Sequence, residues 1–214
     1  MRSVLVTLLA SSFAFPLAAR AQSHNDPLPV GRPLGAYAGR RVLLLPTQYL
    51  RPDTIGFSAQ IADGQDYLAN LDAELAFALA GRGLKDTWLY PAQLEAASKR
   101  NKGYAPSPYG LAAQWLRPPG PRKMPDQLPD PLATQLRQLV AIEEDAQFVL
   151  MPLEIRFERT PTGMGVAQLR MVMFDARRSI IVWEADVPSA PASAMTPALA
   201  ESVAEHFADL VAAP

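Results

Sequence analysis

The chain has 214 residues, 20 Lys and Arg against 21 Asp and Glu, and no cysteine. A charge this close to zero gives no bulk attraction to nucleic acid or anionic lipid. The missing cysteine excludes disulfides, thiolate metal sites, cysteine nucleophiles and the acylated cysteine of a bacterial lipoprotein.

Arg2 supplies a positive start, Val4 to Leu17 form an apolar stretch, and Ala19-Arg20-Ala21 fits the small-residue pattern of a signal peptidase site. Residues 1–21 therefore read as a cleavable secretory signal with Gln22 as the first mature residue. The expected protein is exported, periplasmic with full secretion as the other destination. It carries no integral membrane anchor, because no later stretch approaches the roughly 20 apolar residues a bilayer needs. Losing Arg2 and Arg20 leaves 18 basic against 21 acidic residues in a mature chain of 193, a length that suits one domain.

Residues 22–39 carry Pro27, Pro29, Pro33, Gly31, Gly35 and Gly39 without apolar period, and read as a flexible lead-in to a single domain over 40–214. Val42-Leu43-Leu44-Leu45-Pro46 is a short continuous apolar run of the kind buried on both faces of a sheet. From Asp66 to Arg82, Tyr67, Leu68, Leu71, Leu75, Ala78 and Leu79 recur at helical spacing, and Gly83 closes the helix. Asp66, Asp72 and Glu74 are assigned to its polar face. A brief strand at Thr87 to Tyr90 and a helix from Pro91 to Arg100 complete a β-α-β-α opening.

Between Tyr104 and Pro131 lie 8 of the 21 prolines, which leaves only a helical fragment around Leu111 to Leu116 in a long surface insert of about 104–130. A helix starting at Pro131 turns Leu132, Leu136, Leu139, Val140 and Ile142 inward and ends at Glu143-Glu144-Asp145. In the next stretch Leu153, Ile155 and Phe157 alternate with charges and are expected to share one face, with a bulge or edge at Pro152. Thr160-Pro161-Thr162-Gly163 turns the chain into a strand with Ala167, Leu169, Met171 and Met173 on one side. After a second turn, Asp175-Ala176-Arg177-Arg178, Ile181, Trp183, Ala185 and Val187 alternate with Glu184 and Asp186. The last helix carries Leu199, Val203, Phe207, Leu210 and Val211, with Thr196 as its expected cap.

The fold class is thus α/β with α+β character: a mixed sheet, a β-α-β opening, helices, a three-strand antiparallel meander and a C-terminal helix. Arg41-Val42-Leu43-Leu44-Leu45-Pro46, Ala146-Gln147-Phe148-Val149-Leu150, and Val172-Met173-Phe174-Asp175-Ala176-Arg177 with Ile181-Val182-Trp183 carry a resemblance. In their order they resemble the small α/β domain of bacterial envelope proteins: the Tol translocation N-terminal domain, the curli-secretion periplasmic domain and certain lipoprotein activators of cell-wall synthases. The resemblance covers most of residues 40–212 and implies a fold and an envelope setting. This chain departs from it in having no lipidated cysteine and an enlarged proline-rich insert.

No catalytic, cofactor-binding or metal-binding constellation emerges. His24 falls in the lead-in, and His206 has Glu201 and Asp209 near it in sequence but no serine fixed beside it. Glu143-Glu144-Asp145 point in different directions on a helix. Gly163-Met164-Gly165 joins antiparallel strands and lacks the context of a dinucleotide loop. Asp175-Ala176-Arg177-Arg178 suits a turn as well as an anion. The insert is the best candidate: Tyr104, Tyr109, Trp115, Arg117, Arg122 and Lys123, preceded by Lys99, Arg100 and Lys102, combine aromatics with positive charge in an acidic protein.

The expectation is an exported, non-catalytic module that binds an envelope protein or associates with itself, with no cofactor and no nucleic acid partner. The alternative is an enzyme or small-ligand binder with a pocket between the insert and the C-terminal ends of the parallel strands. A structural accessory of an export system is a third possibility.

Overall fold

The computed structural model describes residues 33–117, 127–143 and 146–213. The signal segment, most of the lead-in, Arg122, Lys123, Glu144 and Asp145 lie outside them.

The first strand, β1 (Val42–Leu44), is buried at every residue. An apolar run without alternation has to be covered on both faces, and it is. β1 runs parallel to β3 (Phe148–Arg159) with Val42 opposite Phe148. Its other edge meets Leu89, whose carbonyl accepts the Leu44 N–H at 2.8 Å. The strand expected at Thr87 to Tyr90 is this one bridge and no more. A turn ending in Trp88 N–H donating to the Leu84 carbonyl precedes it, and Pro91, at the first position of α2 (Pro91–Arg100), follows it. Pro46 interrupts the first strand, and the chain rejoins the same edge of β3 as β2 (Tyr49–Leu50).

β3 pairs antiparallel with β4 (Gly165–Asp175), and β4 with β5 (Ile180–Pro188), giving the order β1-β3-β4-β5 with β2 also on β3. This is the mixed sheet and antiparallel meander of an α+β domain. Helix α1 (Gly64–Gly81) starts on Asp63, whose Oδ1 accepts the N–H groups of Gln65 and Asp66. It is followed by Gly83 at φ +82°. Helix α3 (Leu132–Ala141) precedes β3 and α4 (Ala198–Val211) closes the chain. Thr196 caps α4 only through its backbone: the carbonyl accepts the Leu199 N–H at 3.1 Å and the side chain makes no cap bond.

The sheet separates two apolar layers. Val42, Leu44, Leu150, Met171 and Met173 pack with α1 and α4 on one side. Leu43, Leu45, Val149, Val172 and Phe174 pack with α2, the insert and α3 on the other. A bulge between Pro152 and Glu154 adds one residue to β3, and one extra residue exchanges the faces of everything after it. Leu153 therefore belongs to the α3 layer while Ile155 and Phe157 belong to the α1/α4 layer, so the three do not share a face as the alternation suggested. A second register shift opposite Met173 and Phe174 likewise sends Ile181 and Trp183 to different layers. The fold reaches back into the lead-in, where buried Leu34 donates its N–H to the Leu210 carbonyl at 3.1 Å.

Candidate interaction surface

The insert is held to the body residue by residue as far as Arg117. Ser98 Oγ donates to the Pro106 carbonyl at 2.8 Å, Ser107 Oγ donates to Glu95 Oε2 at 2.8 Å, and Ala112 N–H donates to Gln135 Oε1 at 2.8 Å. Leu111, Ala113 and Leu116, the last two on a 3-10 turn over Ala113–Leu116, are buried against α3 and the sheet. Prolines space these anchors and hydrophobic burial fixes them. On this held backbone Tyr104, Tyr109 and Trp115 are 55%, 58% and 58% exposed.

Of the described basic candidates, Arg117 and Lys99 are paired within the molecule, while Arg100 and Lys102 are exposed at the end of α2 and just after it. Arg117 Nε donates to Glu154 Oε2 at 2.7 Å, and its guanidinium lies 4.3 Å from the Tyr49 ring centroid. Arg51 reaches the other oxygen of Glu154 at 3.4 Å. Glu154 is buried rather than facing water, because the bulge at Pro152 turns it toward the insert. Arg117 is thus a strut. Lys99 pairs with Glu95 at 3.2 Å, and Arg122 and Lys123 lie outside the described residues.

Asp72 lies on the buried face of α1, not on its polar face. It is 8% exposed, and its Oδ1 accepts the Thr47 N–H at 2.8 Å and the Thr47 hydroxyl at 2.6 Å. Burial raises its pKa to about 6 against the pull of those two hydrogen bonds. The signal was present in the spacing: Leu68, Asp72, Leu75 and Leu79 form one stripe at helical period, so position alone placed the carboxylate on the buried face. The Gln48 side-chain amide donates to the Pro108 carbonyl at 3.4 Å, which sets the insert beside the C-terminal end of β1, and the Tyr109 hydroxyl has its pKa raised by burial and then by the charges of Asp72 and Glu95.

Each of the remaining sequence candidates has a local partner or a turn to make. His206 is exposed, with Nδ1 2.6 Å from the Pro188 carbonyl oxygen. Asp175 is 2% exposed; its Oδ1 accepts the Arg178 N–H and its Oδ2 the Gln147 amide. Gly163, at φ +85°, makes the hairpin turn in which Thr160 N–H donates to the Met164 carbonyl. Glu143 pairs with Arg41 at 3.0 Å. Among the described residues no group of three or more His, Cys, Asp or Glu is placed to hold a metal ion, and no helix is long and apolar enough to cross a membrane.

On the opposite side of the sheet, a groove of about 520 Å³ opens between the first turns of α1, the 60–63 segment and the start of α4. Its floor is apolar, and its ionisable residues, Asp63, Asp66, Tyr67 and Glu74, include no cation.

No protein-family model matches the chain, and no curated protein matches it. Among solved structures, two of the PelC dodecamer from Paraburkholderia phytofirmans are each 14% identical with a TM-score of 0.41. One match covers 82% of this chain and 91% of that one, the other 86% and 95%. The hypothetical protein CT253 from Chlamydia trachomatis is 16% identical with a TM-score of 0.35, over 70% of this chain and 71% of that one. Overlaps this loose carry no function across.

Proposed function

We propose that this chain is an exported, non-catalytic interaction module of the bacterial envelope, which contacts an envelope protein or further copies of itself through the insert. One observation carries the proposal: Tyr104, Tyr109 and Trp115 stand more than half exposed on a backbone that hydrogen bonds and buried leucines hold in place. Large aromatics on a preorganised segment lose little conformational entropy on docking and bury much area when a partner covers them. The secretory pattern of residues 1–21 and the resemblance to Tol and curli-secretion domains support the envelope setting.

The test is a crosslinking pull-down from the native envelope, with sedimentation to detect self-association. It compares wild type with Tyr104→Ser/Tyr109→Ser/Trp115→Ser. The wild type is expected to retain a partner or copies of itself, and the triple variant to lose at least about tenfold of that while melting within about 3 °C of wild type. A monomeric wild type that retrieves nothing overturns the proposal, as does a triple variant that retrieves as much. Replacing the whole insert is the poorer experiment, because it removes Leu111, Ala113 and Leu116 from the core.

A second reading, a small-ligand site at the C-terminal end of β1, is favoured by the buried Asp72 on Thr47, next to the point where Gln48 meets the Pro108 carbonyl of the insert.

A further inference from the structure

The groove between α1 and α4 combines an apolar floor with uncompensated negative charge. Ile61, Tyr67 and Met195 line it and pack against the α1/α4 core, and Ala200 is part of that core. Asp63 spends one oxygen on the helix cap. Asp66 and Glu74 make no side-chain hydrogen bond or ion pair among the described residues, and no Lys, Arg or His lines the groove. Phe77, 75% exposed, continues the apolar surface one turn beyond Ala73 and Glu74 on the same face of α1.

The 60–63 wall of the groove is tied to the segment before it, Gln60 N–H donating to the Phe57 carbonyl at 3.0 Å and Ile61 N–H to the Ser58 carbonyl at 3.2 Å, and that segment is itself held. Asp53 accepts the N–H groups of Gly56 and Ser58 at 2.7 Å each. Phe57 packs so closely on the sheet that a Cβ at Gly165 would stand 2.4 Å from its ring. The site is therefore preorganised on the side facing α1.

We propose that this groove receives a basic amphipathic helix of a partner protein. Charge complementarity selects the occupant: carboxylates without a counter-ion beside an apolar floor favour a segment that brings both cations and apolar side chains. Asp66 and Glu74 are eight residues apart on α1, roughly 12 Å along its axis. A docked helix matches them with Lys or Arg two turns apart, an apolar side chain between them above Ala73 and a further one toward Phe77. This face lies across the sheet from the aromatic insert, and the inference stands without the insert reading.

The probe is a dye-labelled helical 18-residue peptide with Lys at i and i+7 and Leu at i+3 and i+4, followed by anisotropy on the purified protein. Controls are the same peptide with Glu for Lys and a scrambled order. We expect saturable binding of the Lys/Leu peptide alone. Asp66→Asn/Glu74→Gln should weaken it at least about tenfold, salt raised from about 50 to 300 mM should weaken it similarly, and Ala73→Trp should block it. Circular dichroism melts show that each variant is folded; Ala73 is exposed, so filling the groove there leaves the core intact. The insert triple variant should bind the peptide like wild type. Equal binding of the scrambled peptide, or of the wild-type probe by the charge variant, overturns the proposal, and so does absence of binding. Absence of binding with an Ala73→Trp change in oligomeric state assigns the groove to a second copy of this chain instead.

Discussion

Asp72 holds a folded pKa of about 6 against an ordinary 3.8, chiefly because burial disfavours its charge. Between those two values an unfolded chain has already released the proton that the folded chain keeps, so stability falls as pH rises through this window. The penalty is absent below about pH 4 and complete above pH 6, where it amounts to at most about 3 kcal/mol. Asp72→Asn keeps an oxygen for the Thr47 N–H and hydroxyl and removes the charge. It is expected to stabilise the protein by about 1–3 kcal/mol at pH 8 and by nothing at pH 4, measured by urea denaturation at both. A carboxylate kept where it weakens the fold at neutral pH is a reason to look for a role at the end of β1. Its burial was legible from its place among Leu68, Leu75 and Leu79. Its partner was not, since Thr47 is 25 residues away and meets it only through the packing of α1 on the sheet.

At the scale of elements, the insert and the bulge in β3 decide the candidate surface together. The bulge turns Glu154 toward Arg117, and Arg117 holds the turn that carries Trp115. A segment anchored this way should respond oppositely at neighbouring positions. Leu116→Ala is expected to cost about 3 kcal/mol, because it opens a cavity in the α3 layer. Trp115→Ser should change stability by less than about 0.5 kcal/mol while weakening partner capture. Equal costs in thermal or urea melts would mean that the tryptophan is a packing residue. The aromatics of the insert were legible as a candidate surface, because exposed aromatics in a proline-spaced segment have nowhere regular to pack. The position of a bulge was legible too, from a proline within a long strand. Its consequence was not: period-two reasoning assigns faces only relative to an unbroken register, and one added residue reverses the assignment for Ile155 and Phe157.

For the whole molecule, β3 and β4 present one face to each apolar layer, so neither layer can open without exposing the other side of the same strands. Unfolding should therefore be a single transition, with far-ultraviolet dichroism and tryptophan fluorescence giving one midpoint. Val203→Ala in α4 and Leu136→Ala in α3 should both lower that same midpoint. Two separate transitions would show that the layers are independent. The sequence by itself determined the order of the helices and of the long strands, the class of the fold, the antiparallel hairpins and most buried positions of the four helices, because these follow from periodicities of two and 3.6 and from glycine and proline at the breaks. Only the tertiary structure decided which layer each strand residue joins, that Leu89 contributes one bridge in place of a strand, that Arg117 and Glu154 form an internal strut, and that an acidic groove opens between α1 and α4. These depend on contacts between residues far apart in the chain, whose distances are set by how two layers close on one twisted sheet and leave no local pattern to read.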